Sequence, residues 1–424
     1  DLYHGARTFV DFGDPSGREG FSTPPGPRGL QNPPNPARHG TDESVFPTDK
    51  WQQKMPIDVN IDPLKVERLF DLSFQDPSTQ SVVLIKNGFL IGERYAEGAN
   101  ASSYGTSWSM AKSFYAALIG ISIDLGEIDS LDDRVSRYLE YFNDERSDIT
   151  IRDVLNMASG LQYPENQHEN MFFLKDQLAY AKSIMPEKEP NTLFEYNNVN
   201  SMLLGDILFN ATGKMADELL KDRIFNRIGL TNYTLWRDGA GNVMTYCCID
   251  MSARDYSRFG LMFSRNGQWD GQEIISKTFV DETFSEVWDT TPDWWTDHKR
   301  GYSLHWWISK HDEEGTIFNA SGKFGQYIFV DRENDIIFTR ITKYHPTGGS
   351  VQDWGILGNF KVNNIGWWIK VTRFLDKIGI LNLSDDINSP NTLKDGESKE
   401  FYENYGTIID TIADLSRDTM FGSN

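Results

Sequence analysis

Thr106-Ser107-Trp108-Ser109-Met110-Ala111-Lys112-Ser113-Phe114 places a serine and a lysine three residues apart, and Tyr115-Ala116-Ala117-Leu118-Ile119-Gly120-Ile121 prolongs it as an apolar run. The run reads as a buried helix. On a helix, residues i and i+3 share one face. Ser109 and Lys112 would then present a hydroxyl and an amine together at a helix start, against an apolar wall, as a serine nucleophile with a lysine base requires. Serine and lysine are common, so the spacing alone decides nothing. It occurs once in the chain, at a helix start.

Upstream, Gln80 to Tyr95 holds two apolar runs around Asn87-Gly88, the strongest short-range hairpin signal. Far downstream, Gln326–Asp331 and Asp335–Ile341 form a second hairpin turning at Arg332-Glu333-Asn334, preceded by strands at Gly301–Ile308 and Thr316–Ala320. Residues 130–235 between them read as helical and loop-rich, with a Thr150–Asp153 capping box and further helices from Asn200 and Ala216. Asp250 to Asn266 reads as one helix, as does 366–378. The simplest assembly is an α/β (α+β) fold, one antiparallel sheet built from both ends of the chain and flanked by helices, with an inserted helical subdomain. The expected layout is a Pro/Gly-rich arm at 1–60, an α/β catalytic domain at 61–130 and 236–380, a helical subdomain at 131–235, and an acidic, weakly patterned tail at 381–424.

The totals bound the function. The chain has 424 residues, 39% hydrophobic and 13% aromatic, enough for a large core. A net charge of −21 argues against nucleic acid or an anionic membrane as partner. No apolar run reaches the length of a membrane span. The adjacent Cys247 and Cys248 are expected as small buried residues without a bridge. The chain opens at Asp1 without Met, which is read as trimming or loss of an export signal, with export the expectation.

If Ser109 attacks an acyl carbon, it needs a base, a proton shuttle and oxyanion donors. Lys112 is the base candidate, since burial lowers an amine's pKa. Tyr196 is the shuttle candidate, two residues before Asn198 in a Y-x-N that stands at a loop-to-helix junction. The same spacing recurs at Tyr141 and Tyr402. The oxyanion donors are expected from the amide of Ser109 and from the glycine turn Ala320-Ser321-Gly322-Lys323-Phe324-Gly325-Gln326. There Lys323 is the first choice and Gln326 the alternative. Gly322 and Gly325 would let backbone approach a ligand, and Trp307 is a candidate pocket wall. No G-x-S-x-G elbow, dinucleotide fingerprint, P-loop or tight histidine metal spacing occurs, so no metal and no cofactor is expected.

These segments together resemble the serine β-lactamase and penicillin-binding-protein superfamily, in its class C-like esterase and amidase branch. The resemblance rests on Ser109-Met110-Ala111-Lys112, on Ile149-Thr150-Ile151-Arg152-Asp153-Val154-Leu155 through Ser159-Gly160-Leu161, on Phe194-Glu195-Tyr196-Asn197-Asn198 through Leu203-Leu204-Gly205, and on Ser252-Ala253-Arg254-Asp255-Tyr256-Ser257-Arg258-Phe259-Gly260. The Pro-rich leader and the Ser321-to-Val330 run are similar to the branch of 6-aminohexanoate-dimer hydrolases and carboxylesterases. The resemblance implies Ser109, Lys112 and Tyr196 as catalytic residues and a small ester or linear amide as substrate. It also implies a poor fit to β-lactams, because Ala320-Ser321-Gly322 stands where β-lactamases carry Lys-Thr-Gly. The alternative it leaves open is a β-lactam- or peptidoglycan-peptide-acting enzyme or a slowly deacylating sensor.

Overall fold

The computed structural model describes residues 4–6, 45–164, 167–312, 315–343, 357, 360, 363–380 and 398–417. The hairpin β1 (Thr79–Lys86) and β2 (Phe89–Tyr95) turns at Asn87 and Gly88, both at positive φ, the geometry that makes Asn-Gly the favoured two-residue turn. A Cβ on Gly88 would stand 2.0 Å from the Val45 carbonyl oxygen, so glycine is needed there for space as well.

A small second sheet gathers β3 (Tyr104–Thr106), β4 (Thr234–Leu235) and β5 (Ile249–Ser252), with β5 in the middle. The main sheet adds β6 (Trp288–Asp289), β7 (Gly301–Ser303), β8 (Trp306–Asp312), β9 (Gly315–Gly322), β10 (Gln326–Asp331) and β11 (Ile336–Thr342) to the first hairpin. The main sheet has the order β6-β7-β8-β9-β10-β11-β1-β2, antiparallel throughout. Pairing of Thr339 with Val83 joins the two ends of the chain, as the separated hairpins implied.

Both faces of this sheet are covered, so its strands are apolar at nearly every position rather than alternating. Val82, Leu84, Phe329 and Phe338 pack on one side with α1 (Pro63–Phe74), while Val83, Ile85, Ile328 and Ile337 join the core on the other. That second core contains α2 (Ala111–Asp124), α3 (Asn198–Thr212) and α4 (Ala253–Ser264). Residues 111–122 of α2 are all buried. A helix apolar all round belongs at the centre, and the inserted helices wrap its far side.

Several sequence expectations need correction. Gly301–Ile308 is two strands, because Leu304 and His305 both take positive φ and turn β7 back on β8. The turn is clamped by Leu304 N–H on Asn156 Oδ1 at 2.8 Å and His305 N–H on the Leu155 carbonyl at 3.0 Å. The helix expected from Asp250 starts at Ala253, since Ser252 caps it by accepting from Asp255 N–H, and Ile249–Ser252 is strand. The helix expected at Asn200 begins at Asn198 and is capped by Asn197. The expected weakly patterned tail contains α6, a helix at Lys399–Leu415, whose Phe401, Tyr405, Ile408 and Ile412 face the sheet. Residues 381–397 and 418–424 lie outside the described residues, as do 7–44 of the expected arm, while His4–Ala6 pairs with Leu193–Glu195. Cys247 and Cys248 are buried, as expected, with their sulfurs side by side. Cys248 takes a left-handed φ of 106°.

Candidate active site

Ser109 lies in a single 3-10 turn, Trp108–Met110, that feeds directly into α2. Trp108 is held at φ 47°, a conformation a bulky side chain adopts only when its surroundings impose it. The constraint is visible on both sides. Ser107 N–H donates to the Ile249 carbonyl, and Ile249 N–H donates to Ser107 Oγ, each at 2.8 Å. The Trp108 ring stacks on Phe172 and meets the edge of Phe324. The turn carrying Ser109 is thus bolted to the start of β5 and gripped by aromatics from two other segments.

Lys112 sits one turn on, with Nζ 2.8 Å from Ser109 Oγ and donating to the Tyr246 carbonyl at 2.9 Å. It is almost wholly buried, and burial pushes its amine well below the ordinary lysine range. Nζ also lies 4.9 Å from the centre of the Tyr196 ring. Tyr196 follows the strand Leu193–Glu195 just before α3 and hydrogen-bonds Ser109. Burial holds its phenol above the usual range, and the Ser109 bond and the Arg300 charge oppose that only in part. Both partners of Ser109 therefore favour their neutral forms, an amine that can accept a proton and a phenol that can give one.

Trp307 stacks on Tyr196 with ring centres 5.7 Å apart, and Tyr302 meets Tyr196 edge-on at 5.8 Å. The buried His305 backs Tyr302, with Nδ1 3.2 Å from the phenol and Nε2 3.0 Å from Ser201 Oγ. Asn198 lies in the first turn of α3, with Nδ2 2.7 Å from His168 Nδ1, while its Oδ1 is buried without a hydrogen-bond partner. Burial first, then the charges of Lys112 and Lys323, lower His168 to about 3, so its ring is neutral and serves Asn198 as an acceptor.

The glycine turn closes the site from the sheet side. Gly322, the last residue of β9, lies so close to the Ser109 turn that a Cβ would stand 2.1 Å from the Ser107 carbonyl oxygen. Phe324 and Gly325 take positive φ and bring the chain back at Gln326, which pairs with Gly322. The Gln326 side chain is spent on Thr342, accepting from its N–H at 2.9 Å. The Lys323 side chain is exposed. Gly322→Ala is expected to push the two backbones apart, costing about 1–3 kcal/mol as overpacking does. Thermal melting together with the rate of acylation by an activated ester would read it, and an unchanged pair of values would contradict the close approach.

The structure brings together Ser109, Lys112, Tyr196, Trp307, Asn198 and the turn 322–326. The sequence does not reveal the Tyr246 carbonyl, which any residue could supply, or His168, one of seven histidines without metal-like spacing. Nor does it mark Trp108, whose backbone angle has no signature in the residue type.

The family description Beta-lactamase matches residues 80–358 of the chain. The solved structure described as "Putative 6-aminohexanoate-dimer hydrolase from Bacillus anthracis" superposes with a TM-score of 0.58 at 19% identity, covering 79% of this chain and 90% of that one. A family VIII carboxylesterase superposes with a TM-score of 0.52 at 16% identity, covering 68% and 93%. At these identities the likeness is one of fold. A D-aminopeptidase of Brucella anthropi is 31% identical over 148 residues, 31% of this chain and 26% of that protein. The chain's matches span about a third or less of the length of the curated relatives.

Proposed function

We infer the reaction from the premise that the chain belongs to the beta-lactamase family: it is a serine hydrolase that cleaves a small carboxylic ester or linear amide through an acyl-enzyme on Ser109. The observation that carries this reading is the 2.8 Å contact between Ser109 Oγ and the buried amine of Lys112, with Tyr196 on the same hydroxyl. Ser109 Oγ attacks the carbonyl carbon as its proton passes to Lys112 Nζ. The oxyanion is held by the Ser109 amide and one amide of the turn after β9, with Lys323 preferred over Gln326. Tyr196 gives its proton to the departing oxygen or nitrogen and regains one from Lys112. Water then attacks the ester on Ser109 and restores the free serine. One proton leaves with the departing group and the attacking water supplies its replacement to Ser109, so each side chain ends in its starting protonation state and no redox partner is needed.

The chemistry named for the similar 6-aminohexanoate-dimer hydrolase and carboxylesterase agrees with an ester or linear amide. The test is turnover of a p-nitrophenyl ester, a 6-aminohexanoate dimer and nitrocefin, each with Ser109→Ala as control. Turnover of the first or second, lost in the control, is the expected result. A stoichiometric burst without turnover would replace a hydrolase by a slowly deacylating binder.

Asn198 supports the amide arm of this reading. Its buried Oδ1 lacks a hydrogen-bond partner two residues after Tyr196, and a substrate N–H reaching it would satisfy it. Asn198→Leu is expected to lower kcat/KM for the amide about tenfold more than for the ester, the worth of one hydrogen bond. Equal losses on the two substrates would remove Asn198 from amide recognition.

A further inference from the structure

Thirteen large hydrophobic side chains are exposed among the described residues, and six of them fall between 357 and 380. Four belong to α5 (Ile365–Lys377) and the residues that follow it: Trp367 is 57% exposed, Phe374 61%, Ile378 50% and Ile380 66%. Trp367, Phe374 and Ile378 are spaced by seven and four, so they form one stripe along a helix about 20 Å long. The opposite side is seated. Gly366 and Thr372 are buried, and a Cβ on Gly366 would stand 3.0 Å from the Phe172 carbonyl oxygen.

Charge selects what this stripe meets. Acids outnumber bases 62 to 41 in the whole chain, yet residues 360–380 hold Lys361, Lys370, Arg373 and Lys377 against Asp376 alone. Lys370 and Lys377 are exposed, each three residues after an aromatic of the stripe. We propose that α5 seats this protein on an anionic membrane surface, its Trp–Phe–Ile stripe in the headgroup boundary and its lysines on the lipid phosphates. A basic helix with an apolar, tryptophan-bearing face lies in that boundary without crossing it. The chain's net charge does not prevent it, because screening confines the surface's field to roughly 8 Å at physiological salt. A second copy on a two-fold axis fits less well, since the same lysine-bearing patch would face itself.

The placement bears on the site. Phe172, against which α5 is seated, stacks on Trp108 beside Ser109, so a helix resting on lipid holds one wall of the cleft at the membrane surface.

The test is sedimentation of the full chain with phosphatidylcholine vesicles, with and without phosphatidylglycerol. Binding to the anionic vesicles, reversed by salt, is expected. Lys370→Gln with Lys377→Gln should weaken it roughly thirtyfold, at the usual worth of a basic residue near such a surface. Trp367→Gln with Phe374→Gln should abolish it, with circular dichroism melting to show that the exposed replacements leave the fold intact. Absence of binding to either vesicle would overturn the proposal, and so would binding that survives in both variants. A dimer in sedimentation velocity that Trp367→Gln with Phe374→Gln converts to monomer would assign the face to a second copy instead.

Discussion

Ser109→Ala is expected to lower kcat by about 10⁵–10⁶, the loss seen when the nucleophile of a coupled serine site is removed. That corresponds to roughly 7–8 kcal/mol of transition-state stabilisation. Neither neighbouring serine can take over. Ser107, two residues away, is fully buried and spends its Oγ on the Trp108 carbonyl and the Ile249 N–H, while Ser113 Oγ donates to the His305 carbonyl. The variant should fold normally, because what it loses is a half-buried hydroxyl bonded to Lys112 and Tyr196. Intact-mass spectrometry after an activated ester or a fluorophosphonate should show one adduct on the native chain and none on the variant. Turnover that survives Ser109→Ala would end the acyl-enzyme reading, because the 2.8 Å pair would then be a structural contact.

Why Ser109 was legible and its surroundings were not has a physical basis. S-x-x-K is a local pattern on one helix face, and the helix is so apolar that its burial follows from composition. The two hairpins were legible because Asn87-Gly88 and the turn after Asp331 write backbone geometry in residue type. The Leu304–His305 turn was missed because neither residue signals positive φ. Its conformation is imposed by Asn156 and Leu155, some 150 positions earlier. Helix α6 was missed for another reason. Its Phe401, Tyr405, Ile408 and Ile412 keep a helical period, but that period begins only after an acidic, unpatterned stretch and covers part of the tail. The Tyr246 carbonyl that fixes Lys112 could not be found at all by sequence, because a main-chain oxygen carries no side-chain identity. The membrane reading of α5 shows the same limit for charge: a total of −21 hides a basic helix that only its place on the surface makes meaningful.

Lys112→Met is expected to slow acylation about 10²–10⁴-fold, the usual worth of a positioned general base, while raising thermal stability. The two effects have one cause. An unfolded lysine titrates near 10.4, and burial holds Lys112 well below its ordinary value in the folded chain. Between the folded and unfolded pKa the unfolded chain binds more protons. This group's contribution to stability therefore rises with pH through that window, and below it the buried amine is a net cost. Methionine fills a similar volume without an amine to desolvate, so its variant should melt higher near neutral pH, with the gain shrinking as pH approaches 10. Activity depends on the same group in the same direction: only the neutral amine accepts the Ser109 proton, so the native acylation rate should rise with pH through the lowered pKa and then level off. Lys112→Arg separates base from charge. A guanidinium stays protonated across that range, so arginine should restore neither the rate nor its pH limb. If Lys112→Arg acylates at a native rate, positive charge and not proton transfer is what Ser109 needs. If Lys112→Met melts below the native chain, the bonds from Nζ to Ser109 and Tyr246 outweigh the burial of the amine.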